Sequence, residues 1–396
     1  MLKKLTLMLL LTSALIVMLN AAEKYAVLIT GDYAAVGIAE EDLWQTNSDE
    51  KRPMQEFWND TYLMWEMLIE RGYEDKNIYV LFANGVDYWD TDEGDWVDDR
   101  YRPINADFPP TFTITNGDAS AATIGNVENV AAELEDKLTE DDFLFVWTFD
   151  HGKYLSDTSS ALCLLDGNMT DIRFAELFNP ITANKKVYWM QQCFGGSFAD
   201  DLEAENTFFN SAVQGWYTAS RADDLTEDFT EILYLENEKI DGTDYYHGEF
   251  NFHLYSATTG QTPDGDGIYY DDIDFSQADL NRDEITSVYE ASVWEEYYES
   301  ERGEPVINDL GNIGFHTSLE YPTILVDGLW DYAYNFYLNT DLKGIIGVPG
   351  QIWLWTTPVV EIQPNSTLLI DEEGILTNYN EEGFVVNENT KIIGLG

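Results

Sequence analysis

Basic residues are scarce in this sequence. Its 396 residues include 20 lysines and arginines against 74 aspartates and glutamates, a formal net charge of -54. Such a charge repels phosphate backbones and anionic lipid headgroups, so the composition argues against nucleic-acid binding and against binding to membrane surfaces. Cations are the natural counterions. Calcium binding, salt adaptation and simple solubility are three alternative explanations of the acidity, and no residue pattern chooses among them.

Histidine and cysteine are also rare, with four and two residues, so the mechanisms that use them can be enumerated. The sequence has no HExxH pattern, which excludes the usual zinc-protease signature. The nearest approach to GxSxG is GGSFA around Ser197, which lacks the last glycine and argues against a serine-hydrolase elbow. Aromatic residues, by contrast, are abundant at 14%, and this excludes a disordered chain.

No hydrophobic run of the sequence is long enough to cross a membrane, and the longest one lies at the N-terminus. Lys3 and Lys4 precede an apolar run from Leu5 to Leu19, and the small residues Ala21 and Ala22 follow. This run is too short for a spanning helix and is typical of a secretory signal peptide over residues 1–22. We therefore expect a secreted, periplasmic or cell-envelope protein that has no integral membrane span after signal removal.

Export raises the question of a disulfide, because an exported chain with two cysteines often pairs them. Cys163 lies in the apolar run ALCLL, whereas Cys193 follows an apolar run and precedes two glycines. The first environment predicts a buried strand and the second a strand end that turns into a loop. These different environments favour two free thiols, with the disulfide as the alternative.

Apolar runs alternate with helical patterns along the first half of the chain, which predicts an α/β fold with a mostly parallel sheet flanked by helices. A small all-β appendage over residues 345–396 is indicated by short β-branched runs, either as a separate domain or as the start of a β-solenoid. The predicted strands are Lys24 to Thr30, Asn77 to Phe82, Phe143 to Phe149 and Lys186 to Gln192, and the predicted helices are Phe57 to Arg71 and Asn126 to Leu138.

Two reactive side chains each follow an apolar strand: His151 in FLFVWTFDHG and Cys193 in KKVYWMQQCFGG. The carboxyl ends of parallel strands form one rim, so the sheet would bring these two residues together. A thiolate can attack a carbonyl while a nearby imidazole moves the proton, and Gly152 would let a backbone N–H approach the developing oxyanion. Taken singly, a His-Gly pair or a cysteine carries little information, but jointly they predict a catalytic dyad.

These motifs resemble the legumain-like cysteine peptidases of the caspase-haemoglobinase fold, whose hallmarks are one apolar block ending in His-Gly and a second ending in the nucleophilic cysteine. The likeness is closest to prokaryotic secreted members and rests on YAVLITGD, TFDHG, QQCFGGSFADDL, HGEFNFHLYSA and NIGFHTSLEYP, between Lys24 and Pro322. It implies a peptidase domain over residues 23–325 with the caspase-haemoglobinase-like sheet. By the same resemblance Cys193 is the nucleophile, His151 the general acid/base and Gly152 an oxyanion donor.

The resemblance also implies substrate-binding residues. Legumains proper carry a glutamate two positions before the cysteine, where this chain has Gln191, so asparaginyl specificity does not follow. Ser220 and Arg221 would border the pocket for the side chain before the scissile bond, and Arg221 would favour an acidic side chain there unless it simply faces solvent. Asp150 either orients the histidine loop or caps the end of its strand.

An acidic segment, residues 264–290, contains Asp279, Asn281, Asp283 and Glu290 at spacings close to those of a calcium loop. The position that usually holds glycine is Glu284, so the loop would be irregular, and Asp264 and Asp266 would be further ligands. The alternative is an acidic helix N-terminus stabilised by the helix dipole. A structural calcium ion is therefore one of two interpretations, and catalysis itself would need no cofactor.

The leading hypothesis is an exported cysteine endopeptidase that acts on polypeptides through a Cys193 thioacyl intermediate. One alternative is a catalytically inactive binding protein in which the peptidase fold is a scaffold and the C-terminal β region attaches to a cell surface. Another is a peptide ligase that uses the same dyad and passes the acyl group to an amine. The residue pattern does not separate hydrolysis from ligation.

Overall fold

The computed structural model describes residues 22–31, 55–87, 101–103, 114–219, 237–263, 278–280, 285–298 and 305–324, together with short strand segments between 224 and 274 and between 341 and 394. The helices are α1 (Gln55–Glu70), α2 (Ile124–Lys137), α3 (Asp171–Phe178), α4 (Ala199–Leu202), α5 (Glu249–Thr259) and α6 (Val288–Tyr298). The strands up to residue 324 are β1 (Lys24–Thr30), β2 (Ile78–Phe82), β3 (Phe143–Thr148), β4 (Gly152–Ser156), β5 (Ser159–Leu164), β6 (Gly167–Thr170), β7 (Lys185–Met190), β8 (Thr207–Ser211), β9 (Asp224–Leu225), β10 (Ile232–Leu233), β11 (Asn237–Ile240), β12 (Thr243–Tyr246), β13 (Ile268–Tyr269), β14 (Ile273–Asp274), β15 (Val306–Asn308) and β16 (Thr323–Ile324).

The predicted α/β class is confirmed by a six-stranded central sheet in the order β15-β8-β7-β3-β1-β2. Strands β1, β2, β3, β7 and β8 pair in parallel, and β15 joins the edge antiparallel to β8. Strands β4, β5 and β6 form a separate antiparallel sheet directly after the end of β3. The four strands predicted from the sequence all belong to the parallel part.

Hydrophobic side chains cover both faces of the central sheet, as its continuous apolar strands predict. Along β3, Phe143, Phe145 and Trp147 face one core, which also contains aromatic residues of α1 and α5. Leu144 and Val146 face the other core, together with apolar residues of α2 and α3. This alternation with a period of two places a layer of helices on each face.

Helix α1 begins two residues earlier and ends one residue earlier than the sequence predicts. Its end is a Schellman motif, in which Gly72 N–H donates to Ile69 O at 3.0 Å and Tyr73 N–H donates to Leu68 O at 3.0 Å. Gly72 adopts the left-handed conformation that this motif needs, with φ 77°. The glycine signal in the sequence therefore marks the true end of the helix.

Eight further strands follow: β17 (Asp341–Leu342), β18 (Ile345–Val348), β19 (Gln351–Leu354), β20 (Val360–Ile362), β21 (Thr367–Ile370), β22 (Ile375–Asn378), β23 (Phe384–Val386) and β24 (Lys391–Gly394). All of them pair in parallel with strands of the same region or with β16. The paired residues of three ladders, Gln351 with Ile375, Val360 with Phe384 and Thr367 with Lys391, are 24 positions apart.

None of the helices that the structure describes is long and apolar enough to cross a membrane. The predicted signal peptide, residues 1–22, lies outside the described residues except for Ala22, so it stays a prediction.

Candidate active site

Strands β3 and β7 place His151 and Cys193 at the same rim of the sheet. Thr148 and Met190 are paired in the parallel register, and Gln191 N–H continues the ladder by donating to Thr148 O at 2.9 Å. His151 is three residues beyond Thr148, and Cys193 is three residues beyond Met190. The two side chains that the sequence singled out are therefore at equivalent positions past neighbouring strand ends.

Gly152 is in van der Waals contact with the backbone of Cys193. A Cβ atom at position 152 would lie 1.7 Å from the carbonyl oxygen of Cys193 and 3.1 Å from its Cα. Any other residue would push the two segments apart, so glycine is required at this position. The residue that follows His151 thus touches the candidate nucleophile.

Cys193 enters a sharp turn because the next residue, Phe194, is in the left-handed conformation with φ 63° and ψ 19°. A residue with a side chain pays about 1 kcal/mol or more for this conformation, so its surroundings must hold it. Phe194 N–H donates to Tyr217 O at 2.7 Å, and Phe194 O accepts bonds from Ser160 Oγ at 2.9 Å and from Ser197 Oγ at 3.0 Å. Hydrogen bonds to the backbone N–H and to the backbone C=O of Phe194 thus fix the turn that carries Cys193.

His151 is an exposed residue whose ring meets Phe57 of α1 edge to face, with ring centroids 5.7 Å apart. The preceding residue, Asp150, is buried, and its Oδ1 accepts the backbone N–H of His151 at 2.5 Å. Gly31 lies against the same carboxylate, since a Cβ there would be 2.1 Å from Asp150 Oδ2. The bond from His151 N–H to Asp150 caps the end of β3 and also holds the backbone of His151, so it fits both roles considered from the sequence.

Both cysteines are free thiols and both are half-buried. Cys163 lies next to the site, because its backbone N–H donates to His151 O at 3.0 Å. Burial, and then the negative charge of Asp150, raise the pKa of the Cys163 thiol to about 11. Cys163 is therefore protonated at neutral pH and is unsuited to nucleophilic attack, which leaves Cys193 as the candidate nucleophile.

A buried hydrogen-bond network lies beneath the site and centres on Asn251 of α5. Its backbone N–H donates to Gln191 Oε1 at 3.1 Å, and its side-chain nitrogen donates to Asp60 Oδ2 at 2.7 Å. Its side-chain oxygen accepts the indole N–H of Trp147 at 2.8 Å. One residue therefore links the end of β7, the middle of α1 and strand β3, the strand that leads to His151.

Buried charges extend this network away from the sheet. His247 Nδ1 lies 2.7 Å from Asp60 Oδ1, and its Nε2 lies 3.5 Å from Glu238 Oε2. Burial by itself would lower the pKa of His247, but the hydrogen bonds to Asp60 and Glu238 raise it to about 9. Arg102 pairs with Glu238 at 2.5 Å and with Glu66 at 2.8 Å. Alternating charges thus hold α1 against the start of α5.

Gln191, predicted to bind substrate, is 1% exposed. Its side chain packs under the start of α5, where a Cβ on Gly248 would lie 2.1 Å from Gln191 Nε2. The structure thus gives this side chain a contact with α5, and its contact with substrate stays a prediction. The other predicted pocket residues, Ser220 and Arg221, lie outside the described residues.

Glu290, a predicted calcium ligand, takes part in a capping box at the start of α6. Its Oε2 accepts the N–H of Ser287 at 2.9 Å and the hydroxyl of Ser287 at 2.8 Å, and Ser287 Oγ accepts Glu290 N–H at 3.2 Å. This agrees with the alternative of an acidic helix N-terminus. Asp279 is described, whereas Asn281, Asp283, Asp264 and Asp266 are not. Among the described residues no group of three or more His, Cys, Asp or Glu side chains is arranged to hold a metal ion.

The sequence did not reveal three features of this site: the network under it, the position of Cys163 and the left-handed Phe194. Asp60 and His247 are 187 positions apart, and no local pattern pairs them. The only signal was the rarity of histidine, which marks His247 as one of four residues to inspect.

No protein-family profile matches this chain, and no curated protein matches it significantly. Among solved structures, the crystal structure of protein GSU0716 from Geobacter sulfurreducens is similar at a TM-score of 0.39 and 11% sequence identity, over 72% of this chain and 92% of that chain. Similarity at this level carries no argument about activity.

Proposed function

We propose that the chain is an exported cysteine endopeptidase that hydrolyses peptide bonds through Cys193 and His151. The observation that carries the proposal is the contact of Gly152 with the Cys193 backbone at the rim where β3 and β7 end. A thiol and an imidazole beyond adjacent parallel strands form the arrangement in which a nucleophile and its acid/base partner work together.

In the proposed reaction the Cys193 thiolate attacks the carbonyl carbon of the scissile bond, and His151 holds the proton taken from the thiol. The oxyanion of the tetrahedral intermediate would accept the backbone N–H of Gly152. Collapse of this intermediate breaks the C–N bond, and His151 gives its proton to the departing amine. Water, deprotonated by His151, then hydrolyses the thioester and releases the acid and the free thiol.

The proposal includes the legumain-like family and its caspase-haemoglobinase-like sheet, with a peptidase domain over residues 23–325. The six-stranded, mostly parallel sheet supports this assignment only at the level of the α/β class. We further propose that residues 345–396 form turns of a parallel β-solenoid, supported by the 24-residue offset of their ladders. Such a unit would suit attachment to a cell surface.

The test is intact-mass labelling of the mature protein with peptidyl acyloxymethyl ketones, which alkylate an activated thiol. We expect labelling of the wild type and of Cys163→Ala, and none of Cys193→Ala or His151→Ala. Cys163→Ala is the matched control because it removes the other half-buried thiol, whose pKa is too high for attack. The labelled chain should also lose its hydrolysis of casein.

Two results would contradict the proposal. Equal casein hydrolysis by the wild type and Cys193→Ala would place the chemistry elsewhere. The scaffold alternative would be favoured if the wild type neither reacted with the ketone nor hydrolysed casein and residues 345–396 bound polysaccharide or cell walls.

Ligation is separated from hydrolysis by adding an amine nucleophile such as a glycine peptide during turnover, because the two reactions give products of different mass.

A further inference from the structure

Exposed aromatic residues concentrate around Cys193. Eight large hydrophobic side chains of the described residues are exposed, and four of them belong to two segments beside the candidate nucleophile. Tyr154 and Leu155, each 44% exposed, belong to β4, which begins with Gly152. Trp216, 58% exposed, and Tyr217, 45% exposed, follow β8. Such clusters on a protein of this charge call for an explanation, because exposed apolar surface is costly unless it binds something.

The three aromatic residues among them, Tyr154, Trp216 and Tyr217, adjoin Phe194, the residue after Cys193. The ring of Tyr154 meets the ring of Phe194 edge to face, with centroids 5.6 Å apart. Phe194 N–H donates to Tyr217 O at 2.7 Å, and the rings of Tyr217 and Trp216 are 6.4 Å apart. We call Tyr154, Phe194, Trp216 and Tyr217 the aromatic rim. Because hydrogen bonds fix the backbone of Phe194 and join it to Tyr217, the rim lies beside the turn that carries Cys193.

We propose that the aromatic rim binds large apolar side chains of a polypeptide substrate beside the scissile bond, so that the enzyme prefers aromatic and large aliphatic residues there. This inference rests on the proposed endopeptidase function. A peptide whose carbonyl carbon reaches Cys193 must lie along Phe194 and the start of β4, because both adjoin the nucleophile. The net charge of -54 argues against an anionic membrane as the occupant of this surface.

The test compares Tyr154→Ala and Trp216→Ala with wild type on quenched fluorogenic peptides that carry either Phe, Leu or Ser on each side of the cleaved bond. We expect kcat/KM for Phe and Leu peptides to fall about 10-fold in each variant, while the rate for Ser peptides stays constant. Trp216→Phe, which keeps an aromatic ring, should retain most of the preference for Phe and Leu peptides that Trp216→Ala loses. Tyr297→Ala is the matched control, because Tyr297 is 78% exposed on α6 and outside the rim.

Binding separates this inference from the catalytic proposal. Fluorescence anisotropy of labelled Phe peptides with Cys193→Ala measures the affinity of the rim for peptide in a variant that cannot cleave it. The double variant Cys193→Ala/Trp216→Ala should bind these peptides about 10-fold more weakly. Unchanged binding in the double variant would overturn the rim proposal and leave the dyad standing. A second result would also overturn the rim proposal: the protein self-associates in sedimentation experiments, and Trp216→Ala abolishes this self-association without changing the affinity for peptides. Circular dichroism confirms that each variant is folded.

Discussion

At the scale of single residues, the site depends on backbone contacts that only glycine permits. Gly152 touches the Cys193 carbonyl, Gly31 touches the Asp150 carboxylate, and Gly248 touches the Gln191 side chain. A methyl group at position 152 would meet the Cys193 carbonyl, and one at position 31 would also lie 2.2 Å from the Cys163 carbonyl oxygen. Backbone atoms such as these cannot swing aside as a side chain can. The sequence predicted Gly152 as an oxyanion donor, whereas its steric role required the structure.

Gly152→Ala should therefore disrupt the site. The added methyl group would lie 1.7 Å from Cys193 O, and separating the two segments should cost about 1–3 kcal/mol of unfolding free energy and reduce kcat/KM about 100-fold. Urea unfolding and ketone labelling measure the two effects. Gly125→Ala in α2 is the control, because the added methyl group would meet no atom within 4 Å beyond its chain neighbours and the backbone of its own helix. Its stability should be unchanged or slightly higher. Normal labelling of Gly152→Ala would disprove the steric argument.

At the scale of elements, one half-buried and one buried lysine fasten neighbouring segments to the central sheet. The ammonium group of Lys185, the first residue of β7, donates to His316 O at 2.9 Å, to Thr317 Oγ1 at 2.9 Å and to Pro322 O at 2.8 Å. Lys186 donates to Phe178 O and Asn179 O, both at 3.0 Å, where α3 ends. These two lysines join the segment before β16 and the end of α3 to the same strand.

Lys185→Met should lower the unfolding free energy by about 1–3 kcal/mol, because three partly buried acceptors lose their donor. Burial lowers the pKa of Lys185 to about 7, although Asp309 opposes the shift. The unfolded chain thus binds more protons between about pH 7 and 10, and the contribution of Lys185 to stability rises with pH over that range. Urea unfolding should show a larger effect of the substitution at about pH 9 than at about pH 7.

The control for this prediction is Lys239→Met, whose amine is exposed and lies 3.4 Å from Asp244 in the hairpin of β11 and β12. An exposed pair of this kind contributes little, so its loss should leave unfolding unchanged at both pH values. An effect of Lys185→Met that was equal at the two pH values would show that Lys185 keeps its proton throughout.

At the scale of the whole molecule, self-repulsion is the dominant electrostatic feature, because 74 acidic residues face 20 basic ones. Several of those basic residues, such as Arg102 and Lys185, are already engaged inside the fold. Few cations are therefore left to neutralise the surface. Salt should screen the remaining repulsion without binding at any one place.

Raising NaCl from about 0.01 M to about 0.5 M should increase Tm by roughly 5 °C, since screening stabilises the compact state of a highly charged chain. Scanning calorimetry of the mature protein measures the shift, and CaCl2 at equal ionic strength is the comparison. An additional increase with calcium that Asp279→Asn removes would support the predicted calcium segment. A Tm that did not change with NaCl would contradict the repulsion argument.

The sequence by itself determined the α/β class, four of the five parallel strands and the positions of His151 and Cys193 past two of them. Local signals suffice for these features, since apolar runs mark buried strands and parallel strands end at one rim. Only the tertiary structure decided which residues surround the site. Asn251, Asp60 and His247 meet because α1 and α5 pack on the same face of the sheet. The left-handed Phe194 and the aromatic rim depend on contacts between segments far apart in the chain. No local pattern specifies such contacts, because each depends on how the whole chain packs.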